Sequence, residues 1–410
     1  MAQAQGDDDS RTRSAGLPPA PADLSEHFSL VSGGAFHALL RRLGLLSDDG
    51  LPRAKAALTL ALLSWLVPTL TAVVQTWRED AYSGWGIFSD ATVYARYLVA
   101  VWVMIATERF ADGRIKVLVD HFQGAQLLVG QAREKFADAV RRADQSSGSY
   151  RAEGLILLIA LSWSFLNIHL IATVSQSSWE SVVVDGTSQL SWAGEISALT
   201  SGTLFLFLVL RWFWRFGIWA NLLAHIARLD LQLMPLHPDR AGGLGFLTLF
   251  PSTFSGLVFA LGCVISGVII KALSLAHYSE QTIWLAVATW LLLVLMVFLG
   301  PLLVFARPLY NSRERGLLEY GRLAHLHHLE FHRKWFGQSG VDAKLLGSPD
   351  PSSVSDLNAS VQTALDMHLI PIDKTIVIQL LLAAGLPLIA VVLYVMPLAD
   401  LLLWIVGVVL

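Results

Sequence analysis

The chain has 410 residues, 54% of them hydrophobic and only 15% charged, with a mean hydropathy of +0.55. A soluble chain usually carries about a quarter charged residues, so this composition excludes an ordinary soluble domain and marks an integral membrane protein. The net charge of −3 argues against a nucleic-acid partner, and the single Cys263 excludes an internal disulfide or a cysteine-built metal site.

Residues 1–30 are polar and rich in Ala and Pro and lack the apolar core of a secretory signal; they read as a disordered tail ahead of a transmembrane domain over 31–410. A bilayer crossing takes about 20 mostly apolar residues. Candidate crossings follow at 56–77, kinked at Pro68, at 91–108 with Asp90 as N-cap, at 154–174, and at 198–226. Further crossings are expected at 245–273, interrupted by Pro251, at 282–305, and from 375 to about 394. The last fifteen residues read as a short interfacial or re-entrant helix. The expected fold is therefore all-α: a polytopic helix bundle of about seven spans.

Basic residues set the orientation. Segments 109–152 and 306–374 each carry eight Lys or Arg, whereas 176–197 and 274–281 carry none. Both basic segments and the N-terminus are thereby assigned to the cytoplasm. Residues 114–145 and 311–338 are amphipathic at helical spacing, which predicts cytoplasmic helical insertions over 110–152 and 306–374. On the opposite side, Asp185-Gly186 between short alternating runs signals a small hairpin.

Between the fourth and fifth spans lies "LHPDRAGGLGFL". Pro235 and Pro238 end the helix, and Gly242, Gly243 and Gly245 permit positive φ and close backbone approach. Two readings stand: a tight loop folded against the bundle, or an anion-binding nest at a helix N-terminus with His237, Asp239 and Arg240 beside it. No Gly-Lys-Ser/Thr follows, so it is not a P-loop.

The stretches at 91–108, 210–247 and 313–324, with "EFHRKW" and "LLGSPD", resemble a bacterial family of polytopic membrane proteins of uncharacterised activity. The resemblance runs from about Val93 to the C-terminus. It implies the bacterial inner membrane as location and carries no mechanism.

Charged groups at hydrocarbon depth normally face a bundle interior or water. Arg96 lies in the second span; Arg211 and Arg215 share one face of the fourth; Asn167 and His169 lie inside the third. Their candidate partners are few, Asp90, Glu108, Asp230 and Asp239, of which Asp90 and Glu108 border a span, so the interior is expected to carry excess positive charge and to favour anions. The competing reading is interfacial anchoring, with Arg215 snorkelling among Trp212, Trp214 and Trp219.

His325, His328 and His332 share a helix face and form a weak metal candidate, a solvated basic face being the alternative. Clustered histidines also fit a proton sensor. No nucleophile elbow or paired intramembrane carboxylates appear.

The function expected is passage or binding of a small solute, most naturally an anion, by a bundle in membrane lipid that assembles as a homo-oligomer, without a cofactor. A non-conducting scaffold or sensor acting through the cytoplasmic helices is the first alternative. A lipid-modifying enzyme using His237 and Asp239 is the second.

Overall fold

Long apolar runs become long helices because a bilayer leaves the backbone no outside hydrogen-bond partners. The computed structural model describes residues 28–47, 50–52, 54–79, 82–171, 179–184, 187–275, 279–336 and 349–395. A short helix, α1 (Gly34–Arg42), precedes α2 (Ala54–Arg78), which continues through Pro68. Next come α3 (91–106), α4 (Glu108–Gly124), α5 (Gln131–Ser147) and α6 (Tyr150–Ile171). After a two-stranded hairpin follow α7 (Trp192–Ile226), α8 (Ser255–Leu275) and α9 (Glu280–Leu299). The chain ends in α10 (Ala306–Phe336), α11 (Asp350–Leu365) and α12 (Lys374–Val395).

The protein is an all-α polytopic bundle. Among the described residues six helices are long and apolar enough to cross a membrane: α2, α6, α7, α8, the joined α9–α10 run Gln281–Phe336, and α12. Their outward faces carry Leu155, Leu158, Phe165, Leu285, Leu292 and Met296, all exposed. Water would not tolerate so continuous an apolar surface, but acyl chains do. The second expected span, 91–108, is not among these six: it is the sixteen-residue α3, with a π-helical turn at Tyr94–Ala100. At 1.5 Å per residue it spans about 24 Å, short of a full crossing, and it packs between α2 and α8.

Polar caps place the ends. Asp90 accepts from the Thr92 N–H, as its position predicts, and Ser191 and Ser279 cap α7 and α9. Strands β1 (Ser181–Val184) and β2 (Thr187–Leu190) pair antiparallel, Ser181 opposite Leu190 and Val184 opposite Thr187. The turn residues Asp185 and Gly186 lie outside the described residues, as do 1–27 and the expected C-terminal helix over 396–410.

The expected tail boundary at residue 30 shifts. Phe28, Leu30 and Val31 are each 1% exposed, because "FSLV" threads between α4, α5 and α7 instead of leaving the bundle. Ser29 donates its hydroxyl to Asp112 at 2.5 Å, its N–H is held by Asp144, and its carbonyl accepts from Ser147. Gly33, at φ +101°, lies so close to Gly148 that a Cβ would come within 2.8 Å of the Gly148 Cα.

Candidate functional site

Arg211 and Arg215, one turn apart on α7, meet two carboxylates. Glu108 opens α4 and Glu153 sits in the first turn of α6. Glu108 Oε1 accepts from Arg211 Nη1 at 2.6 Å and from Arg215 Nη1 at 2.8 Å. Glu153 Oε1 accepts from Arg211 Nε at 2.8 Å, while its Oε2 accepts the Phe36 N–H at 2.9 Å. The Val31 carbonyl accepts from Arg215 Nη2 at 2.9 Å. The Phe36 ring covers the Arg211 guanidinium, 4.9 Å from centroid. All four charged side chains are buried, Arg211 and Arg215 at 3% and 2% exposure.

Two positive and two negative groups make this cluster neutral, so the expected excess of positive charge does not exist around Arg211. Its depth also differs from expectation. With α7 starting at Trp192, Arg211 lies about 28 Å along the axis, near the end of a hydrocarbon crossing rather than its middle. The cluster fastens four segments at that level: the 28–36 strap, α4, α6 and α7. A solvent-excluded, neutral, fully bonded cluster is a clamp and offers a solute no open coordination.

The glycine turn likewise satisfies itself. Asp239 Oδ1 accepts from the N–H groups of Ala241 (2.8 Å) and Gly243 (3.2 Å), and its Oδ2 accepts from Gly245 (2.7 Å). The nest expected for an external anion is thus filled by the chain's own carboxylate. Burial alone would raise the Asp239 carboxyl, but these three N–H donors, with His237 beside them, hold it below the usual carboxylate range. His237 Nδ1 stands 2.8 Å from Asp239 Oδ1, so the pair meets within the turn, with both carboxylate oxygens also held by backbone N–H groups. Arg240, Gly242 and Gly243 all have positive φ. A Cβ on Gly242 would press the Met367 methyl at 3.0 Å and Leu233 at 3.3 Å. The Arg240 carbonyl accepts from the His368 N–H, and the Leu233 carbonyl from Ser312 on α10. The turn therefore pins α10 and the 366–373 connection to the bundle.

Arg96 is arranged differently. It projects from the π-helical turn of α3 into a cavity of about 320 Å³. The opposite wall includes a second π-helical turn, Ala198–Gly202 in α7, and Asn167, Ser164 and Trp163 of α6. Each π turn inserts an extra residue into its helix, a distortion that recurs at functional sites. The Arg96 Nε is buried without a hydrogen-bond acceptor, and among the described residues no carboxylate pairs with the guanidinium. The rings of Tyr97 and Phe205 face it, at 5.9 and 5.8 Å. A buried, unpaired donor is costly, so an acceptor entering the cavity gains its full bonding energy.

Glu180 at the rim is engaged. Lys271 of α8 bridges it at 3.2 Å to Asp90 at 2.7 Å, and Asp90 also accepts from Trp179 Nε1. That bridge ties the hairpin to α3 and α8.

The remaining candidates stay apart. His328 Nδ1 is 2.6 Å from the Ala324 carbonyl, and among the described residues no three His, Cys, Asp or Glu side chains gather to hold a metal, His325 and His332 included. The His169 side chain lies outside the described residues. Sequence reasoning passed over Glu153, Lys271 and the 28–36 strap. The first had a signal: a lone acid beside a span start, on the side to which Arg211 points. No protein-family profile matches this chain, and no curated protein or solved structure does either.

Proposed function

We propose that this integral membrane protein binds a small solute through an anionic or acceptor group at Arg96, in the cavity between α3, α6 and α7. The observation that carries the reading is the buried Arg96 Nε, without an acceptor among the described residues, on the wall of a space of about 320 Å³. The clamp around Arg211 lies about 14 Å further along α7 and is closed, so passage past Arg211 and Arg215 is not part of the reading. The asymmetry of basic residues supports a cytoplasmic N-terminus, and the family resemblance supports the bacterial inner membrane.

Thermal unfolding of the detergent-purified protein tests it. Chloride, acetate, glutamate and nitrate are titrated at constant ionic strength against wild type and Arg96→Gln. Stabilisation by at least one anion, lost in Arg96→Gln, supports the site; equal responses in both proteins sink it. Uptake of the stabilising anion into proteoliposomes then separates passage from binding.

A second reading, a non-conducting scaffold or sensor, draws on α10. Leu318, Leu326 and Phe336 on this long helix are 70%, 51% and 72% exposed, although the sequence there is otherwise polar. A surface of that kind suits a protein partner or a second copy of the chain. Unchanged hydrodynamic size after Leu318→Glu and Leu326→Glu would count against self-association.

A further inference from the structure

We infer that the groove between α5 and α7 is a binding site for an anionic phospholipid, its phosphate held by Arg142 and Arg228 and an acyl chain laid against Trp214 and Ile218. The groove has two parts that share Ala139, Arg142 and His225. The first, about 410 Å³, begins beside Trp214 and has an apolar floor of Ala143, Gly217, Ile218 and Leu222. The second, about 240 Å³, is closed by Lys135, Arg142, His225 and Arg228.

Position favours a lipid. Trp214 lies one turn beyond Arg211, at the level where the hydrocarbon ends, and it is 40% exposed with its Nε1 turned to the Ser146 carbonyl. Half-exposed Trp at this depth is the usual neighbour of headgroups. From there α7 runs on for eleven residues to His225, about 16 Å further from the bilayer centre, so the groove starts in the acyl region and ends beyond it.

Charge favours an anion. Lys135, Arg142 and Arg228 are exposed and make no ion pair among the described residues. The one acid on the wall, Asp138, is taken by Arg141 on the adjacent face of α5. The Nδ1 of His225 is satisfied by the Asn221 carbonyl, which leaves Nε2 toward the groove. A phosphodiester accepts bidentate hydrogen bonds from guanidinium groups, and basic pockets between membrane helices hold lipid phosphates in this way. A zwitterionic lipid would bring its own cation into an already cationic pocket. An anionic headgroup such as phosphatidylglycerol does not.

The test uses the full chain in neutral detergent, with phosphatidylglycerol, phosphatidylcholine and inorganic phosphate as probes. Native mass spectrometry counts retained lipid, and thermal unfolding gives affinity. Phosphatidylglycerol is expected to bind wild type and to bind Arg142→Gln/Arg228→Gln about thirtyfold more weakly. A control, Arg41→Gln/Arg42→Gln on α1, should bind like wild type. Equal binding of phosphatidylcholine, equal binding to the double variant, or reproduction of the effect by inorganic phosphate would each overturn the assignment. Brominated-chain phosphatidylglycerol gives a measurement free of charge variants. It should quench wild-type tryptophan fluorescence more than that of Trp214→Phe, and identical quenching refutes the placement of the chain.

Discussion

Arg211 on α7 and Glu153 at the start of α6 are joined by a 2.8 Å bond from Nε to Oε1, with both side chains almost wholly buried. Removing one partner of such a pair strands the other charge, which costs about 3–5 kcal/mol. Glu153→Ala should therefore unfold at markedly lower temperature in detergent, and Arg211→Gln should do the same by stranding Glu153, while Glu108 keeps Arg215. Neither substitution should open an anion leak in proteoliposomes. A stable Arg211→Gln protein with altered anion flux would restore the pathway reading that the clamp argues against.

The strap over this clamp depends on Gly34. Its φ is +82°, and a Cβ there would stand 2.4 Å from the Glu153 carboxyl carbon. Gly34→Ala meets both a left-handed backbone, about 1–2 kcal/mol for an L-residue, and a collision with a carboxylate that cannot swing away without losing Arg211. The expected result is release of the strap: faster amide exchange at Phe28–Phe36 and new protease sensitivity ahead of α1. Unaltered exchange there would mean that the strap is held by Ser29 and its partners alone.

At the turn between α7 and α8 the same logic takes a pH form. The Asp239 carboxyl is lowered in the folded protein against an unfolded value near 4. A depressed acid contributes its stability above the unfolded value and loses it as pH falls through the folded one. Wild type should thus lose stability on acidification below about pH 4 more steeply than Asp239→Asn. At pH 7 the variant, with weaker acceptors for three backbone N–H groups, should be less stable by about 1–2 kcal/mol. Parallel pH profiles for the two proteins would remove Asp239 from this role.

These contrasts also show what the chain makes legible. Length and apolarity expose the spans, and Lys/Arg asymmetry exposes an alternation, because both are local properties of a bilayer-crossing helix. The turn was visible as a turn, since Pro235, Gly242 and Gly243 act through their own φ. That Asp239 would occupy its own nest was not visible, because the choice between an internal and an external anion depends on a loop closing within 3 Å. The Arg211 clamp is only partly legible for a related reason: Glu108 stands out as an acid at a span end, but nothing local says which arginine it meets. The partners of Arg211 stand 103 and 58 residues away in sequence, and only the packing of α4, α6 and α7 brings them together. A π turn leaves no mark in an apolar run, so the cavity at Arg96 had no signal beyond the arginine itself.

The difference between Arg96 and Arg211 yields the last prediction. Both are arginines in apolar helices, and a sequence scan treats them alike. Yet Arg211 makes charge-assisted bonds to two buried glutamates, whereas Arg96 has a buried Nε with no acceptor among the described residues and lies beside the rings of Tyr97 and Phe205. Replacing Arg211 leaves Glu153 uncompensated, with Glu108 still paired to Arg215; replacing Arg96 strands no acid among the described residues and removes an orphaned donor. In ligand-free detergent solution Arg96→Met should therefore unfold at or above the wild-type temperature, while Arg211→Met falls well below it. With a bound anion the order at position 96 should reverse, since only wild type gains the acceptor. If Arg96→Met proves as damaging as Arg211→Met without ligand, Arg96 is structural, and the cavity beside it loses its claim to a solute.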